Sequence, residues 1–495
     1  MIDLKFWNKI SEEKRVFFIF LIVHFLVWSG IGLIRTLLPT DSLEGIYWGQ
    51  LHDFGTPKHP PLAGWLTYLA YTPFKKDIFV YMLSQACIVC GFVYIYKLAK
   101  CFLDENKAML SVILMEGCWC YSYITGYYGF NPDVILLMIL PMIAYCFYNC
   151  MHSDRPKDWV CLGLLVGISF LNKYQTGLLI LAMLIWALMF KRSIFKSKWF
   201  YVSIAIAFLI FLPHLIWLFK YDFFPFLYFE GELTATSWIN HILAPLKFFI
   251  VQIAAIAGTL VIFAILRIKN KLPLKLAQSL DKQDVWFMLL LGLLPLAVHI
   301  VMGLIEGGTM RPRWGFEFLF MTSIMLFYFF PQEISKKDFK LALKSAYVIM
   351  LIVFLSLGTL LAVEKNYRSR YPVAPVMKDL NERWAKEVST PLKYVGGYIE
   401  WTLPLTIYGE NHPKAILDTF GYPDPWISVD ERQKSGVLVI DRHIDELQKD
   451  TLKACPYLPD DYKITPQEYS FSLTNALGKE RIYTIYYTII PPMND

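Results

Sequence analysis

Residues 16–34 read VFFIFLIVHFLVWSGIGLI and form the first of many apolar runs in this chain. A helix of about 19 residues is long enough to cross the ~30 Å hydrocarbon core of a bilayer. Basic residues precede the run at Lys5, Lys9, Lys14 and Arg15, and no small-residue cleavage site follows it. We therefore expect a retained transmembrane anchor and not a removed signal peptide.

Comparable apolar runs continue as far as residue 363. The 495-residue chain is 56% hydrophobic and only 18% charged, whereas a soluble domain carries about 25% charged residues. The pattern predicts a polytopic α-helical membrane domain over residues 1–363, with about 11 transmembrane helices. The predicted spans lie near residues 16–34, 79–99, 108–126, 133–151, 159–171, 175–190, 199–219, 244–266, 285–304, 314–331 and 344–363.

Lysine and arginine are concentrated in alternate loops, and this asymmetry predicts the orientation of the chain. The two densest clusters are Lys191, Arg192, Lys196 and Lys198, and Lys336, Lys337, Lys340 and Lys344. By the positive-inside rule these loops are cytoplasmic, so loop 35–78 and the C-terminal region are external. Because the basic residues flank apolar runs and do not form one stripe, nucleic-acid binding is not predicted.

The composition changes after residue 363, and residues 364–495 are expected to form a small soluble α/β domain on the external, periplasmic face. Alternation and composition predict strands at Thr402–Tyr408, Gly436–Ile440 and Ile482–Ile490 and a helix at Val376–Glu387. The domain carries no recognisable catalytic motif. We expect it to serve as a scaffold or to handle an acceptor.

The external loop 35–78 contains the richest set of polar side chains. Asp41 and Glu44 stand three residues apart, so on a helix both carboxylates share one face. A capping box, with Asp41 as N-cap and Glu44 reaching back to its amide, explains the same pair. The stretches Ile46–Leu51 and Leu62–Ala70 are amphipathic and suit the membrane interface. The remaining polar candidates and their neighbours are His52, Asp53, Lys58, His59, Pro60 and Pro61.

Four further charged residues are predicted to lie on the same face. Asp133 follows Asn131-Pro132 at the head of the fourth span, where helix capping is the alternative explanation. Lys173 lies in the polar turn of a short hairpin, where an unpaired ammonium would be costly. Arg311 and Arg313 precede the tenth span and suit snorkelling anchors equally well. Carboxylates and cations together suit the handling of a lipid phosphate, because cations stabilise charge on a departing phosphate and a carboxylate can position or deprotonate an acceptor.

These residues resemble the motifs of the GT-C superfamily, specifically the bacterial branch of glycosyltransferase family 39, which includes the lipid A aminoarabinose transferases. The family pattern has an acidic residue opening the first loop, then a glycine, an aromatic residue and a Pro-Pro-Leu block. The matching residues here are Asp41, Glu44, Asp53-Phe54-Gly55, the block His59–Leu66, Pro132-Asp133 and the block Gly163–Tyr174. The chain differs in having His59 where lysine is usual, fewer spans and a shorter C-terminal domain.

The resemblance implies roles for the candidate residues. It implies Asp41, Glu44 and Asp133 as catalytic carboxylates, and Lys173, Arg311 and Arg313 as ligands of the donor phosphate. Lys58, His59, Pro60 and Pro61 would shape the acceptor side of the loop. Some relatives in the superfamily need a divalent metal, for which His52, His59 and His241 are candidates here, but no ligand spacing is diagnostic.

The expected function is transfer of a sugar from a polyprenyl (undecaprenyl) phosphate to a cell-envelope acceptor, preferably lipid A or another lipopolysaccharide component. The reaction is expected on the periplasmic side of a bacterial inner membrane. A protein O-glycosyltransferase using the same donor type is one alternative. A flippase or transporter of a lipid-linked sugar is another, although the predicted spans are almost free of Asp and Glu, which argues against ion-coupled transport.

Overall fold

The computed structural model describes residues 11–233, 237–308, 310–364, 370–417 and 427–493. The α-helices are α1 Glu12–Gly30, α2 Thr40–Gln50, α3 Leu62–Tyr71, α4 Ile78–Ala99, α5 Glu105–Leu114, α6 Tyr123–Tyr128, α7 Pro132–Ser153, α8 Pro156–Phe170, α9 Thr176–Phe190, α10 Lys198–Lys220, α11 Phe224–Leu233, α12 Asn240–Ala255, α13 Ala257–Lys269, α14 Lys282–Glu306, α15 Thr322–Phe329, α16 Lys336–Val363, α17 Val373–Glu387, α18 Ile399–Tyr408, α19 Val429–Ser435 and α20 Ile444–Ala454. Short 3-10 helices lie at Ile31–Leu33, Met115–Gly117, Trp119–Tyr121, Arg192–Lys196 and Pro312–Met321.

The chain is a multi-pass membrane protein. Among the described residues, six helices are long and apolar enough to cross a bilayer, and two bent helix pairs raise that number to eight. All the predicted apolar spans fall on helical segments, but α8 and α9 have 15 residues each. Such helices are about 22 Å long. The count of spans therefore depends on how these shorter helices sit in the bilayer.

Residues 35–78, called the external loop after the side predicted for them, fold into the helices α2 and α3, which pack closely against each other. A Cβ atom on Gly49 would lie 2.2 Å from the carbonyl oxygen of Gly64, so only glycine permits this approach. The capping-box explanation for Asp41 is wrong, because the N-cap of α2 is Pro39 and no side chain caps the helix. Helix α2 is buried against α3 and α18, and the placement of Ile46–Leu51 along the membrane interface stays a prediction.

Hydrogen bonds join three segments of the chain that carry candidate site residues. Asn131 caps α7, its side chain accepting from the backbone amides of Asp133 and Val134. The side chain of Asn172 donates to the carbonyl of Pro132 at 2.9 Å, and the amide of Leu62 donates to the carbonyl of Leu171 at 3.0 Å. The starts of α3 and α7 and the turn between α8 and α9 therefore meet at one place.

The C-terminal region forms a five-stranded sheet of order β2-β1-β3-β5-β4. The strands are β1 Tyr394–Gly397, β2 Lys414–Ile416, β3 Val437–Asp441, β4 Gln467–Thr474 and β5 Glu480–Ile490. β1 pairs in parallel with β2 and β3, while β5 is antiparallel to β3 and β4. The predicted strand Thr402–Tyr408 is wrong: these residues belong to helix α18, which is almost wholly buried. The run alternates between apolar and threonine side chains as a strand would, but both sets are buried in the helix, and tertiary packing overrides such a local preference.

Helix α18 and its neighbours connect the sheet to the first external loop. The hydroxyl of Tyr47 in α2 donates to the carbonyl of Ala415 at 2.6 Å, and the hydroxyl of Tyr408 donates to both carboxylate oxygens of Asp77 at 3.1 Å. The sheet thus rests on the same loop helices that carry Asp41 and Glu44. The proposed boundary at residue 363 coincides with the end of α16, and the division into two domains stays a prediction.

The predicted spans are not free of acidic residues. Glu116, in span 108–126, is fully buried and accepts from Trp28 Nε1 at 2.9 Å, and its other oxygen lies 2.6 Å from Nδ1 of His24. Glu317, in span 314–331, is also fully buried.

Candidate active site

A cavity of about 300 Å³ lies where α2, α3, α7, the α8–α9 turn and the 3-10 helix Pro312–Met321 meet. Nine of the predicted site residues line it: Asp41, Glu44, Lys58, His59, Pro60, Asp133, Lys173, Arg311 and Arg313. Pro61, His52 and His241 are not among the lining residues. Residues far apart in the sequence therefore share one cavity, whose remaining wall includes Trp48, Leu178, Phe226, Met302 and Trp314.

Arg313 joins two of the carboxylates. Its Nη1 donates to Asp41 Oδ2 at 2.7 Å, and its Nε lies 3.6 Å from Asp133 Oδ2. The Arg313 side chain is 23% exposed and that of Asp41 28% exposed, so the pair faces the cavity and is not a freely solvated surface pair. The capping role of α7 belongs to Asn131, which leaves the Asp133 carboxylate available to the cavity.

The position of Arg313 is set by hydrogen bonds to the carbonyls on either side of it. Gln252 donates to the carbonyl of Pro312 at 2.7 Å, and Gln175 donates to the carbonyl of Trp314 at 3.1 Å. These two bonds tie the start of the 3-10 helix to α12 and to the turn that carries Lys173. Neither glutamine was predicted as a site residue, because nothing in the local sequence marks a side chain that holds a distant backbone.

Two further ion pairs line the cavity. Lys173 contacts Asp133 directly, and Lys58 contacts Glu44 directly. The Lys58 ammonium also lies 5.7 Å from the ring centre of Trp48, within cation–π range. The cavity therefore contains paired charges of both signs beside an aromatic face.

The cavity shifts the pKa values of its two loop carboxylates, Asp41 and Glu44, in opposite directions. Burial alone would raise the pKa of Asp41, but Arg313 and Lys58 together hold that pKa below its ordinary value. Burial raises the pKa of Glu44 above its ordinary value, and the pairing with Lys58 offsets only part of this rise. Asp41 is therefore ionised at neutral pH, and Glu44 binds a proton more readily than Asp41 does.

His59 is neutral in this environment. Burial, and after it the nearby ammonium of Lys173, lowers the pKa of His59 to about 3. A neutral imidazole can accept a hydrogen bond as well as donate one. His59 therefore offers the cavity an uncharged donor and acceptor beside its ion pairs.

The metal-ligand candidates do not converge. Within residues 11–233, 237–308, 310–364, 370–417 and 427–493, no three His, Cys, Asp or Glu side chains form a group that could hold a metal ion. The ring of His52 packs edge-on against Tyr68 with 5.4 Å between ring centres, and Nδ1 of His241 lies 3.0 Å from the carbonyl of Leu304. The residues present do not fit a metal site, and we derive no step from one.

Glu317 was missed by the sequence analysis. It lies in the run Pro312–Met321, four residues after Arg313, and its Oε1 is 3.8 Å from Nζ of Lys173. The signal was present, because a single acidic residue inside a predicted span is by default a candidate functional residue. The apolar neighbours Phe316 and Phe318 predict only a membrane span at this position.

Comparisons with known proteins agree with the sequence motifs. Residues 58–217 match the family model described as dolichyl-phosphate-mannose-protein mannosyltransferase. Lipid A galacturonosyltransferase RgtD from Rhizobium johnstonii is 22% identical over 284 residues, which cover 54% of this chain and 56% of that relative. The chain therefore matches little more than half the length of this curated relative.

The whole chain also resembles a solved structure. The apo crystal structure of ArnT from Cupriavidus metallidurans superposes with a TM-score of 0.57 at 11% identity, covering 97% of this chain and 98% of that one. At this identity the likeness establishes the fold, and it extends through the C-terminal sheet. The chain thus has the fold of the ArnT structure, and its residues 58–217 are similar to the mannosyltransferase family model.

Proposed function

We propose that this chain transfers one sugar from a polyprenyl phosphate, such as undecaprenyl phosphate, to a cell-envelope acceptor. The observation that carries the proposal is the single cavity in which Asp41, Asp133, Lys173 and Arg313 meet. Its volume of about 300 Å³ is at the lower end of the range for small-molecule sites, about 300–1,000 Å³. A sugar phosphate fits this size, while a lipid tail would extend beyond the cavity.

The cations account for the donor end of the reaction. Breaking the bond between the sugar and its phosphate oxygen leaves additional negative charge on the polyprenyl phosphate. Lys173, Arg311 and Arg313 line the cavity and would stabilise that charge as it develops. Because Asp133 contacts Lys173, the donor phosphate would share this ammonium with Asp133.

The carboxylates account for the acceptor end. If the acceptor is a hydroxyl, its proton must leave as the new glycosidic bond forms. Asp41 is ionised and held by Arg313, which suits it to orient the hydroxyl, while the raised pKa of Glu44 makes it the stronger base of the two. If the acceptor is a phosphate, it is already anionic, and Asp41 would act only through placement.

Lipid A is the preferred acceptor, and a uronic acid is the first donor sugar to try. Both choices draw on the name of the curated relative, a lipid A galacturonosyltransferase. The family model, whose description names a protein mannosyltransferase, supports protein O-glycosylation as the second candidate. For either acceptor, we propose that the cavity and the C-terminal sheet face the periplasm from a bacterial inner membrane, consistent with the cytoplasmic placement of the basic loops.

The proposal is tested by turnover of the purified full chain. The chain is incubated with labelled undecaprenyl-phosphate galacturonate, hexose or aminosugar and with lipid A or a Ser/Thr-rich peptide. We expect free undecaprenyl phosphate and labelled lipid A to appear together, and Asp41→Asn to lower both by at least about 10²-fold. A flippase or transporter would release no undecaprenyl phosphate from any donor. Labelled peptide in place of labelled lipid A would favour the second candidate.

A further inference from the structure

Glu317 is a buried carboxylate outside the cavity. Its exposed fraction is 0%, and neither of its carboxylate oxygens has a hydrogen-bond partner among the described residues. A carboxylate without hydrogen bonds in an apolar interior costs several kcal/mol unless a cation or a proton compensates it. Such a residue therefore calls for an explanation beyond packing.

The compensating cation is Lys173. Its ammonium lies 3.8 Å from Glu317 Oε1 and contacts Asp133 directly, so it stands between two carboxylates. Lys173 itself is only 8% exposed. Asp133 and Lys173 line the cavity and Glu317 does not. Glu317 therefore faces the ammonium from outside the cavity.

Acidic and basic side chains alternate along one line of contacts from Asp41 to Glu317. This line runs from Asp41 to Arg313 at 2.7 Å, from Arg313 to Asp133 at 3.6 Å, from Asp133 to Lys173 in direct contact, and from Lys173 to Glu317 at 3.8 Å. Asp133 is thus shared between two cations. Glu317 is the second carboxylate beside the Lys173 ammonium. When a bound anion displaces Asp133, Glu317 is the one of the two that stays in place.

We propose that Glu317 is the positioning residue of Lys173, holding its ammonium at the cavity wall while the donor phosphate exchanges with Asp133. The inference rests on the proposed function, which assigns Lys173 to the donor phosphate. Glu317 touches no reacting atom and acts only through Lys173. A misplacement of about 1 Å at a catalytic group can lower the rate about 10²-fold. Removal of the Glu317 carboxylate is therefore expected to lower kcat.

A double-mutant cycle tests the pair without substrate. The full chain, Glu317→Gln, Lys173→Met and the double variant are purified in detergent, and their unfolding temperatures are compared. Lys173→Met leaves Glu317 without a cation, and Glu317→Gln then relieves that cost. We expect the double variant to lose less than the sum of the single losses. Strictly additive losses would overturn the pairing whether or not the chain transfers sugar.

The same variants are then compared in steady-state transfer. Glu317→Gln is expected to lower kcat about 10- to 100-fold while the donor KM changes less than about threefold. In the Lys173→Met background, Glu317→Gln should lower kcat by less than a further factor of about two. In the otherwise wild-type chain, Glu317→Asp should keep part of the kcat that Glu317→Gln loses. An unchanged kcat in Glu317→Gln, or a full additional loss in the double variant, would contradict a role exerted through Lys173.

Glu116→Gln is the matched control. Glu116 is equally buried but is paired with His24 and Trp28, and it does not line the cavity. Its substitution should lower the unfolding temperature without any coupling to Lys173. If wild-type chain releases no polyprenyl phosphate, the proposed function fails, and the unfolding cycle still decides the pairing of Glu317 with Lys173.

Discussion

Arg313 donates a hydrogen bond of 2.7 Å to Asp41, although 272 positions separate them in the sequence. The bond joins the external loop after the first apolar helix to the segment that follows α14. Each side chain alone has an ordinary local explanation. Asp41 is an acidic residue in the first turn of α2, and Arg313 suits a membrane anchor. Their contact helps to keep Asp41 ionised, because Arg313 opposes the effect that burial has on the pKa of Asp41.

Replacement of Arg313 should change the pH dependence of transfer as well as its rate. Arg313→Gln removes a cation that lowers the pKa of Asp41, so that pKa rises. If transfer needs ionised Asp41, the acid limb of the kcat/KM profile moves to higher pH, and the rate at neutral pH falls about 10²-fold or more. Profiles of wild type, Arg313→Gln and Arg313→Lys measure the shift.

Arg313→Lys is the informative control for this prediction. Lysine keeps the charge but cannot reach Asp41 and Asp133 through two nitrogens of one planar group. We expect an acid limb near that of wild type with a reduced kcat. An acid limb that stays in place in Arg313→Gln would show that Asp41 does not govern the pH dependence.

The sequence predicted local features of this protein well and distant contacts poorly. The apolar runs are long and the Asn131-Pro132-Asp133 start is local, so the helices and the external candidates could be named in advance. The Arg313–Asp41 bond depends on how separate segments pack, which no single-sequence pattern encodes. Glu317 lies among apolar neighbours that predict a span. Helix α18 has an alternating sequence that predicts a strand, but both of its faces are buried.

His59 should make the stability of the folded chain depend on pH in a predictable direction. Its pKa is about 3 in the folded chain against an ordinary value of 6.5. Below about pH 6.5 the unfolded chain binds a proton here that the folded chain does not, so stability falls as pH falls toward about 3. His59→Gln should flatten this fall, measured by unfolding temperatures at about pH 7.5 and about pH 5.

The control for His59 is His152→Gln, since His152 is exposed and lies away from the cavity. It should leave the difference between the two unfolding temperatures close to that of wild type. Parallel behaviour of wild type and His59→Gln between these pH values would contradict a neutral, half-buried imidazole at position 59.

Tyr408 should connect the C-terminal sheet to the external loop more strongly at high pH. Burial raises the pKa of Asp77 to about 6, and the hydrogen bonds from Tyr408 oppose that rise. Tyr408→Phe removes the donor, which raises the pKa further and penalises the ionised carboxylate. We expect a loss of about 1–3 kcal/mol at pH 8, where Asp77 is ionised, and a smaller loss at about pH 5. Denaturant unfolding at both pH values measures it, and equal losses would contradict the coupling.

The close approach of α2 and α3 provides the last prediction, because it couples helix packing to the placement of Asp41 and Glu44. A methyl group on Gly49 would lie 2.2 Å from the carbonyl oxygen of Gly64 and 2.5 Å from Cβ of Tyr68, so Gly49→Ala must push the helices apart. We expect a loss of about 1–3 kcal/mol in stability and a fall in kcat, since α2 carries both carboxylates.

Gly30→Ala is the matched control, because a Cβ at Gly30, the last residue of α1, meets nothing within 4 Å. Its backbone is helical, so alanine there should leave stability unchanged or raise it by up to about 1 kcal/mol. Wild-type turnover in Gly49→Ala would mean that the spacing of α2 and α3 does not control the cavity, and the carboxylates would then have to be held by their ion pairs alone.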